Sequence, residues 1–394
     1  MQTTPDALRV SSLGSAAAAK RRPFAALYTD SREPSGVGAH MLALADELAR
    51  HCDLAFVCHE APAALELTEA ARRRGHEANV LPVGPTAWPV LGGWLRSRRP
   101  DLFHVHAGIG WEGTAAPGLA RRAGVGAVLR TEHLPDLLTD LEQRADYAAM
   151  LQDVDARICV SEAARSSYQL GGPAPPTMIR NGVPAPLRAP RRRADTRRAL
   201  GLADGARAIL TVARFAPQKG HAVLLQAATE VLRRRPEAVF LWVGEGALRP
   251  ELERLAQANG LRDRVRFLGA RDDVADLMAA SDLFVLPSLF EGLPLALLEA
   301  LQAELPVVAT DAPGTAEVFE IDHAAELAPP GDAGALATAI LRVLNDRDLA
   351  DELADRGQRL VRRHFTARRM GEETLALYRG LLARTSARPP VTLQ

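Results

Sequence analysis

Short apolar, β-branched runs alternate with helical patterns along nearly the whole chain, and this alternation constrains the fold more than any other feature. Each run reads as a strand, and each helical pattern after it as the crossover to a parallel neighbour, so βαβ units and an α/β class follow. In the first half the expected strands are residues 24–29, 53–58, 78–82, 102–106, 127–130 and 156–160. A helix expected over 38–49 places Met41, Leu42, Ala45 and Leu48 on one face. A second set of strands is expected at 208–213, 239–243, 265–268, 283–286 and 307–309. Two parallel sheets are therefore implied, facing each other across a cleft, and such folds bind ligands at the carboxyl ends of their strands.

Between the two sets, residues 181–196 carry Pro184, Pro186, Pro190 and the run Arg191-Arg192-Arg193, which reads as an interdomain linker with a solvated charged surface. Met370, Thr374, Leu377 and Leu381 recur at helical spacing in a terminal segment that could cross back onto the first domain. The expected division is a mobile tail over 1–22, a first domain over 23–183, a linker over 184–198, a second domain over 199–365 and a terminal helix over 366–385.

Composition removes several function classes. The 48 Lys+Arg cancel the 48 Asp+Glu, leaving no net field to hold a nucleic acid by counterion release. No stretch reaches the ~18 apolar residues of a membrane span. Cys52, Cys58 and Cys159 are odd in number and lack metal-ligand spacing, so neither a disulfide framework nor a zinc site is read and a reducing, cytoplasmic setting is expected. Near the start, Ala16 to Ala19 precede Lys20, Arg21 and Arg22, the wrong order for an export signal.

Three segments carry chemistry. Pro34-Ser-Gly-Val-Gly-Ala-His40 follows the first strand, and its glycines and helix start offer backbone N–H groups to a ligand, with a ligand-free turn as the alternative. It is not a complete GxGxxG, and no acidic residue is suitably placed after the second strand, which disfavours a nicotinamide cofactor. In the second half Arg214 ends a strand and Lys219 stands five residues on, beside a helix start, a positive pocket suited to a diphosphate. Further on, Glu291 lies in a loop and Glu299 on the second turn of a helix whose first turn accepts Pro294, so both carboxylates can face one molecule. The N–H groups of Gly292 and Leu293 would point at phosphate oxygens.

These residues, with Asp101-Leu-Phe-His-Val-His106, Arg130-Thr-Glu-His133, Val160-Ser-Glu162, Arg180-Asn-Gly-Val183 and Val243-Gly-Glu-Gly246, resemble the retaining GT-B glycosyltransferases of glycosyltransferase family four (glycosyl transferases group 1). The Glu, seven residues, Glu spacing is the most specific of them. The resemblance implies two Rossmann-like domains and transfer of a sugar from a nucleoside-diphosphate sugar, UDP-sugar ahead of GDP-sugar, to an acceptor hydroxyl. It also implies that Arg214 and Lys219 bind the diphosphate, Glu299 the ribose hydroxyls and Glu291 the transferred sugar. His133 and Gly36 would approach that sugar from the first domain, and Arg271 would border the base. Where the family often has Gly, this chain has Pro294, Glu304 and Pro313 before Gly314; Pro294 removes one phosphate donor and leaves more of that contact to Leu293.

A nucleoside diphosphate leaves as a weak base, so it needs positive charge rather than a proton, and no Asp-x-Asp pair suited to a metal clamp is read. No cofactor and no metal are expected. His104 and His106 stand one residue apart at a strand end with no third ligand at suitable spacing, and read as cleft-lining or packing residues. His51, His59, His221 and His323 receive no role. The acceptor is expected between residues 108–114 and 134–140. Two other functions share the architecture: a nucleotide-sugar epimerase, which needs a buried carboxylate pair in the first domain, and a noncatalytic binding protein.

Overall fold

The computed structural model describes residues 21–32, 35–168, 175–185 and 191–386. Residues 1–20 of the tail expected over 1–22, with Pro34, Pro186 and Pro190, lie outside them. Seven strands, β1 Phe24–Thr29, β2 Asp53–His59, β3 Glu77–Leu81, β4 Leu102–Ala107, β5 Ala127–Glu132, β6 Ala156–Cys159 and β7 Thr177–Met178, form one parallel sheet in the order β3-β2-β1-β4-β5-β6-β7. Six more, β8 Arg207–Val212, β9 Ala238–Val243, β10 Val265–Gly269, β11 Leu283–Leu286, β12 Val307–Thr310 and β13 Glu326–Ala328, form a second parallel sheet in the order β10-β9-β8-β11-β12-β13. The strand order reverses beside β1 in one sheet and beside β8 in the other, and the loops leaving these strands at that reversal are where such sheets bind ligands. Both sheets belong to the GT-B arrangement of two α/β domains.

Every residue of β1, β4 and β5 is buried, because helices cover both faces of the sheet and no polar alternation is needed. Asp140, Ser161, Asp332 and Asp346 accept backbone N–H groups at helix starts and set where those helices begin.

The helix Ala367–Ser386 belongs to the first core, where Met370, Leu375, Tyr378 and Leu381 join Met41, Leu44 and Leu48. Val183 bridges Thr366, so the chain passes between the two halves at two adjacent points.

Two sequence readings change. The helix Arg193–Ala199 begins inside the expected linker, and the Arg run is not simply solvated. Arg193 donates to Asp282 at 2.6 Å and to the Ala279 carbonyl at 3.0 Å, and the Arg191 N–H donates to Asp276 at 2.8 Å. Arg21 and Arg22, placed in the tail by sequence, hold Asp101 at 2.8 Å and the Cys52 carbonyl at 2.8 Å.

Candidate functional site

Arg214 follows β8 and Lys219 ends a short 3-10 turn, Pro217–Lys219, before the helix His221–Arg234. Sequence assigned Lys219 and Glu291 to different parts of a ligand, and the structure joins them. The Lys219 ammonium donates to both Glu291 carboxylate oxygens, at 2.6 and 2.8 Å, and Ser288 Oγ donates to one of them at 2.7 Å. Glu291 is buried, so its charge depends on this pairing to offset lost hydration. Arg214 is half-buried and borders the cleft described below.

The loop from β11 to the helix Leu295–Gln302 is held from three sides. Glu291 N–H donates to the Pro313 carbonyl at 2.9 Å, Asn181 Nδ2 donates to the Leu293 carbonyl at 2.7 Å, and Gly292 lies against His133. A β-carbon on Gly292 would fall 1.9 Å from the His133 carbonyl oxygen, so only glycine fits between the halves here. Pro294 is not in the first turn, as sequence suggested, but at the N-cap in extended conformation, with the helix starting at Leu295. No described residue accepts the N–H of Gly292 or Leu293. Glu299 has no described partner for its carboxylate, and burial pushes its pKa up to about 7. Arg271 is exposed and spends its guanidinium on Asp273, at 2.7 and 2.8 Å.

On the facing side, Gly36 lies in the first turn of the helix Ser35–Leu48, exposed, with open space where a side chain would stand. His133 follows β5 and is buried, 3.4 Å from His106 through ring nitrogens. His40 stacks edge-on against His133, with ring centroids 4.6 Å apart, and its Nδ1 meets Asn181 Oδ1 at 2.9 Å. The third partner that spacing did not supply for His106 is thus present in space: His40, His106 and His133 gather from the first helix, β4 and the end of β5. Burial holds His40 down at about 4 and His104 at about 3, and drives His106 and His133 well below the ordinary histidine range, so all four rings are neutral.

Between the halves opens a cavity of about 520 Å³, lined among others by Asp30, His59, Glu60, Trp111, Glu112 and Arg214. Trp111 and Glu112 fall in the segment expected to meet the acceptor. His59, given no role by sequence, was missed, and Glu60 corrects the reading that no acidic residue is suitably placed after the second strand: β2 runs on to His59 and Glu60 stands directly after it. Asp30 and Glu112, both half-buried, line this same cavity, two first-domain carboxylates that sequence did not identify. Burial is the largest cause raising both pKa values, and Asp30 adds to the rise at Glu112. Asp30 accepts the Gly113 N–H at 2.9 Å through one oxygen, while the other is buried without a partner among the described residues. Arg130 fixes this loop from below, donating to the Gly110 carbonyl at 2.7 Å, the Glu112 carbonyl at 2.6 Å and Glu132 at 2.6 Å. Two Asp-x-Asp runs do occur. Asp155, of the first, accepts the Val128 N–H and pairs with Arg121; Asp346, of the second, caps a helix.

The family description "Glycosyltransferase Family 4" matches residues 34–185, and "Glycosyl transferases group 1" matches 192–360. The lipopolysaccharide core biosynthesis glycosyltransferase LpsD of Rhizobium meliloti (strain 1021) is 32% identical over 293 residues, 74% of this chain and 78% of that one. The UDP-Gal:alpha-D-GlcNAc-diphosphoundecaprenol alpha-1,3-galactosyltransferase of Escherichia coli is 30% identical over 65% of this chain and 69% of its own. The alpha-D-kanosaminyltransferase of Streptomyces kanamyceticus is 33% identical over 190 residues, 48% of this chain and about half, 49%, of that one. Among solved structures, Anabaena HepE in complex with UDP and glucose superposes with a TM-score of 0.79 at 20% identity, covering 91% of this chain and 100% of that one, a likeness of fold. The chain belongs to the GT-B glycosyltransferases of family four.

Proposed function

We propose that the chain moves a sugar from a nucleoside-diphosphate sugar to an acceptor hydroxyl with retention of anomeric configuration and without a metal. The observation that supports this reading is that the halves meet at the candidate residues: Gly292, next to the Lys219-paired Glu291, abuts His133, and Arg214 borders the 520 Å³ cavity of the first half. A UDP-sugar is the favoured donor. HepE structures carry UDP or UDP-glucose, and the galactosyltransferase relative is named for UDP-Gal, which supports this choice.

In this reading Arg214, Lys219 and the N–H groups of Gly292 and Leu293 take the diphosphate, Glu299 takes the ribose hydroxyls, and Arg271 borders the base. Glu291, tied to Lys219 and Ser288, orients the transferred sugar and is a poor nucleophile. That favours attack on the face the leaving group vacates over double displacement, which needs a carboxylate beneath the anomeric carbon. The bond from anomeric carbon to phosphate oxygen breaks as the acceptor oxygen bonds to that carbon. The acceptor proton passes to the departing phosphate oxygen. Gly36 and His133 close on the sugar, and the acceptor occupies the cavity beside Trp111 and Asp30. A second reading, nucleotide-sugar epimerisation, draws on the Asp30 and Glu112 carboxylates.

The test is to offer purified protein a panel of nucleotide sugars with and without hydroxyl acceptors. Transfer predicts nucleoside-diphosphate release only when an acceptor is present. Sugar interconversion without acceptor would support the epimerase, and binding without turnover would overturn both enzymatic readings.

A further inference from the structure

The histidines around His133 form a constellation that sugar transfer does not use in full. His40, His106 and His133 each offer one ring nitrogen, and these atoms lie within 4.8 Å of one another. All three side chains are buried. His106 Nε2 is buried without a hydrogen-bond partner among the described residues, an orphaned acceptor or donor inside the protein. His40 is pinned through Nδ1 by Asn181, an outer hydrogen bond of the kind that orients a ligating imidazole.

From this geometry we propose that His40, His106 and His133 form a three-imidazole site for a borderline divalent cation, zinc above all, and that filling it inhibits transfer by engaging His133. Three neutral nitrogens with no carboxylate in the group suit zinc and not magnesium or calcium, which require oxygen ligands. With three protein ligands the cation keeps a fourth position for water or an incoming oxygen. The spread of up to 4.8 Å is wider than a filled site, so the rings must draw together on binding. The inhibitory part rests on the proposed function, because only there does His133 meet the donor sugar; the binding part stands without it.

The full chain, stripped of metal, is titrated with cobalt(II) as a spectroscopic probe and with zinc in equilibrium dialysis. The expected results are a tetrahedral cobalt absorption saturating at one ion per chain, and zinc displacing that ion. His106→Phe keeps a ring in the packing and removes a ligand; it should abolish the cobalt band and weaken zinc binding by more than the roughly 10- to 100-fold that loss of a ligand's outer hydrogen-bond partner costs. His40→Asn, which keeps an amide near Asn181, should do the same, so the result does not depend on one variant folding. A wild-type chain with no tetrahedral band, or variants that bind as well as wild type, would overturn the site. In a transfer assay, zinc should lower the wild-type rate at least tenfold, and His106→Phe should need at least tenfold more zinc relative to its own metal-free rate. Binding without inhibition would overturn the inhibitory part, whereas absence of any transfer would count against the proposed function and leave the binding result standing.

Discussion

Glu299 offers a quantitative test because burial moves the ionisation of its carboxyl up to near neutral pH at a place assigned to ribose hydroxyls. Its pKa is pushed from 4.5 up to about 7 by desolvation, with no described partner to stabilise the charge. The ionised form is the better hydrogen-bond acceptor, so nucleotide binding should favour it and strengthen as pH rises through that value. With a pKa of about 7 roughly one tenth of the chains are ionised at pH 6 and nine tenths at pH 8, which makes UDP affinity about tenfold weaker at the lower pH. The linked effect on folding has a definite sign. The unfolded chain ionises Glu299 near 4.5 while the folded chain keeps its proton, so this residue's contribution to stability is fully present below 4.5 and is lost as pH rises towards 7. Calorimetric UDP titrations from pH 5.5 to 8.5, on wild type and Glu299→Gln, separate this from titration of the nucleotide phosphate. The difference between the two curves should show the tenfold step. A flat difference would refute the ribose assignment.

Other perturbations follow from the same geometry. Glu299→Ala should weaken nucleotide binding by about 1.5 to 3 kcal/mol, the scale of a hydrogen bond to a charged group, read by the same titration. Gly292→Ala places a β-carbon 1.9 Å from the His133 carbonyl oxygen, so the halves must separate by about 1.5 Å to restore ordinary contact; transfer should fall about 10²-fold while thermal unfolding changes little. Glu291→Ala should abolish turnover yet leave UDP binding measurable, since the freed Lys219 still faces the diphosphate; near-normal turnover would remove Glu291 from the site. Arg130→Ala removes the cationic partner of buried Glu132, leaving it the Tyr147 and Tyr168 hydroxyls, and the donor to two loop carbonyls, which should cost about 3 to 5 kcal/mol in chemical denaturation.

What was legible in the sequence is what local patterning encodes. The buried strands β1 and β11 announce themselves as short, mostly apolar runs, whereas β4 and β5 show only apolar starts and go on to bury His104 and His106, and Arg130, Thr131 and Glu132. β7 and β13 did not: Thr177–Met178 and Glu326–Ala328 are two and three residues long, too short for a period, and exist because a neighbouring strand accepts them. Arg214, Lys219, Glu291 and Glu299 stood out by position after strands, but the pairing of Lys219 with Glu291 spans 72 residues and has no local signature. The same holds for His40, His106 and His133, whose separation in sequence hides a shared site, and for Arg193, whose partner Asp282 lies 89 residues away. Asp30 and Glu112 look like ordinary surface acids until burial beside one cavity raises their pKa values.

The most direct test of the central claim, that protein charge rather than a metal stabilises the leaving diphosphate, is the acceptor-dependent transfer rate of wild type and Arg214→Ala in excess chelator. Wild type should keep its full rate, or gain if zinc had been bound, and Arg214→Ala should lose on the order of 10² to 10³ in rate, as when one preorganised contact to developing charge is removed. Loss of wild-type activity in chelator, restored by a divalent cation, would contradict it.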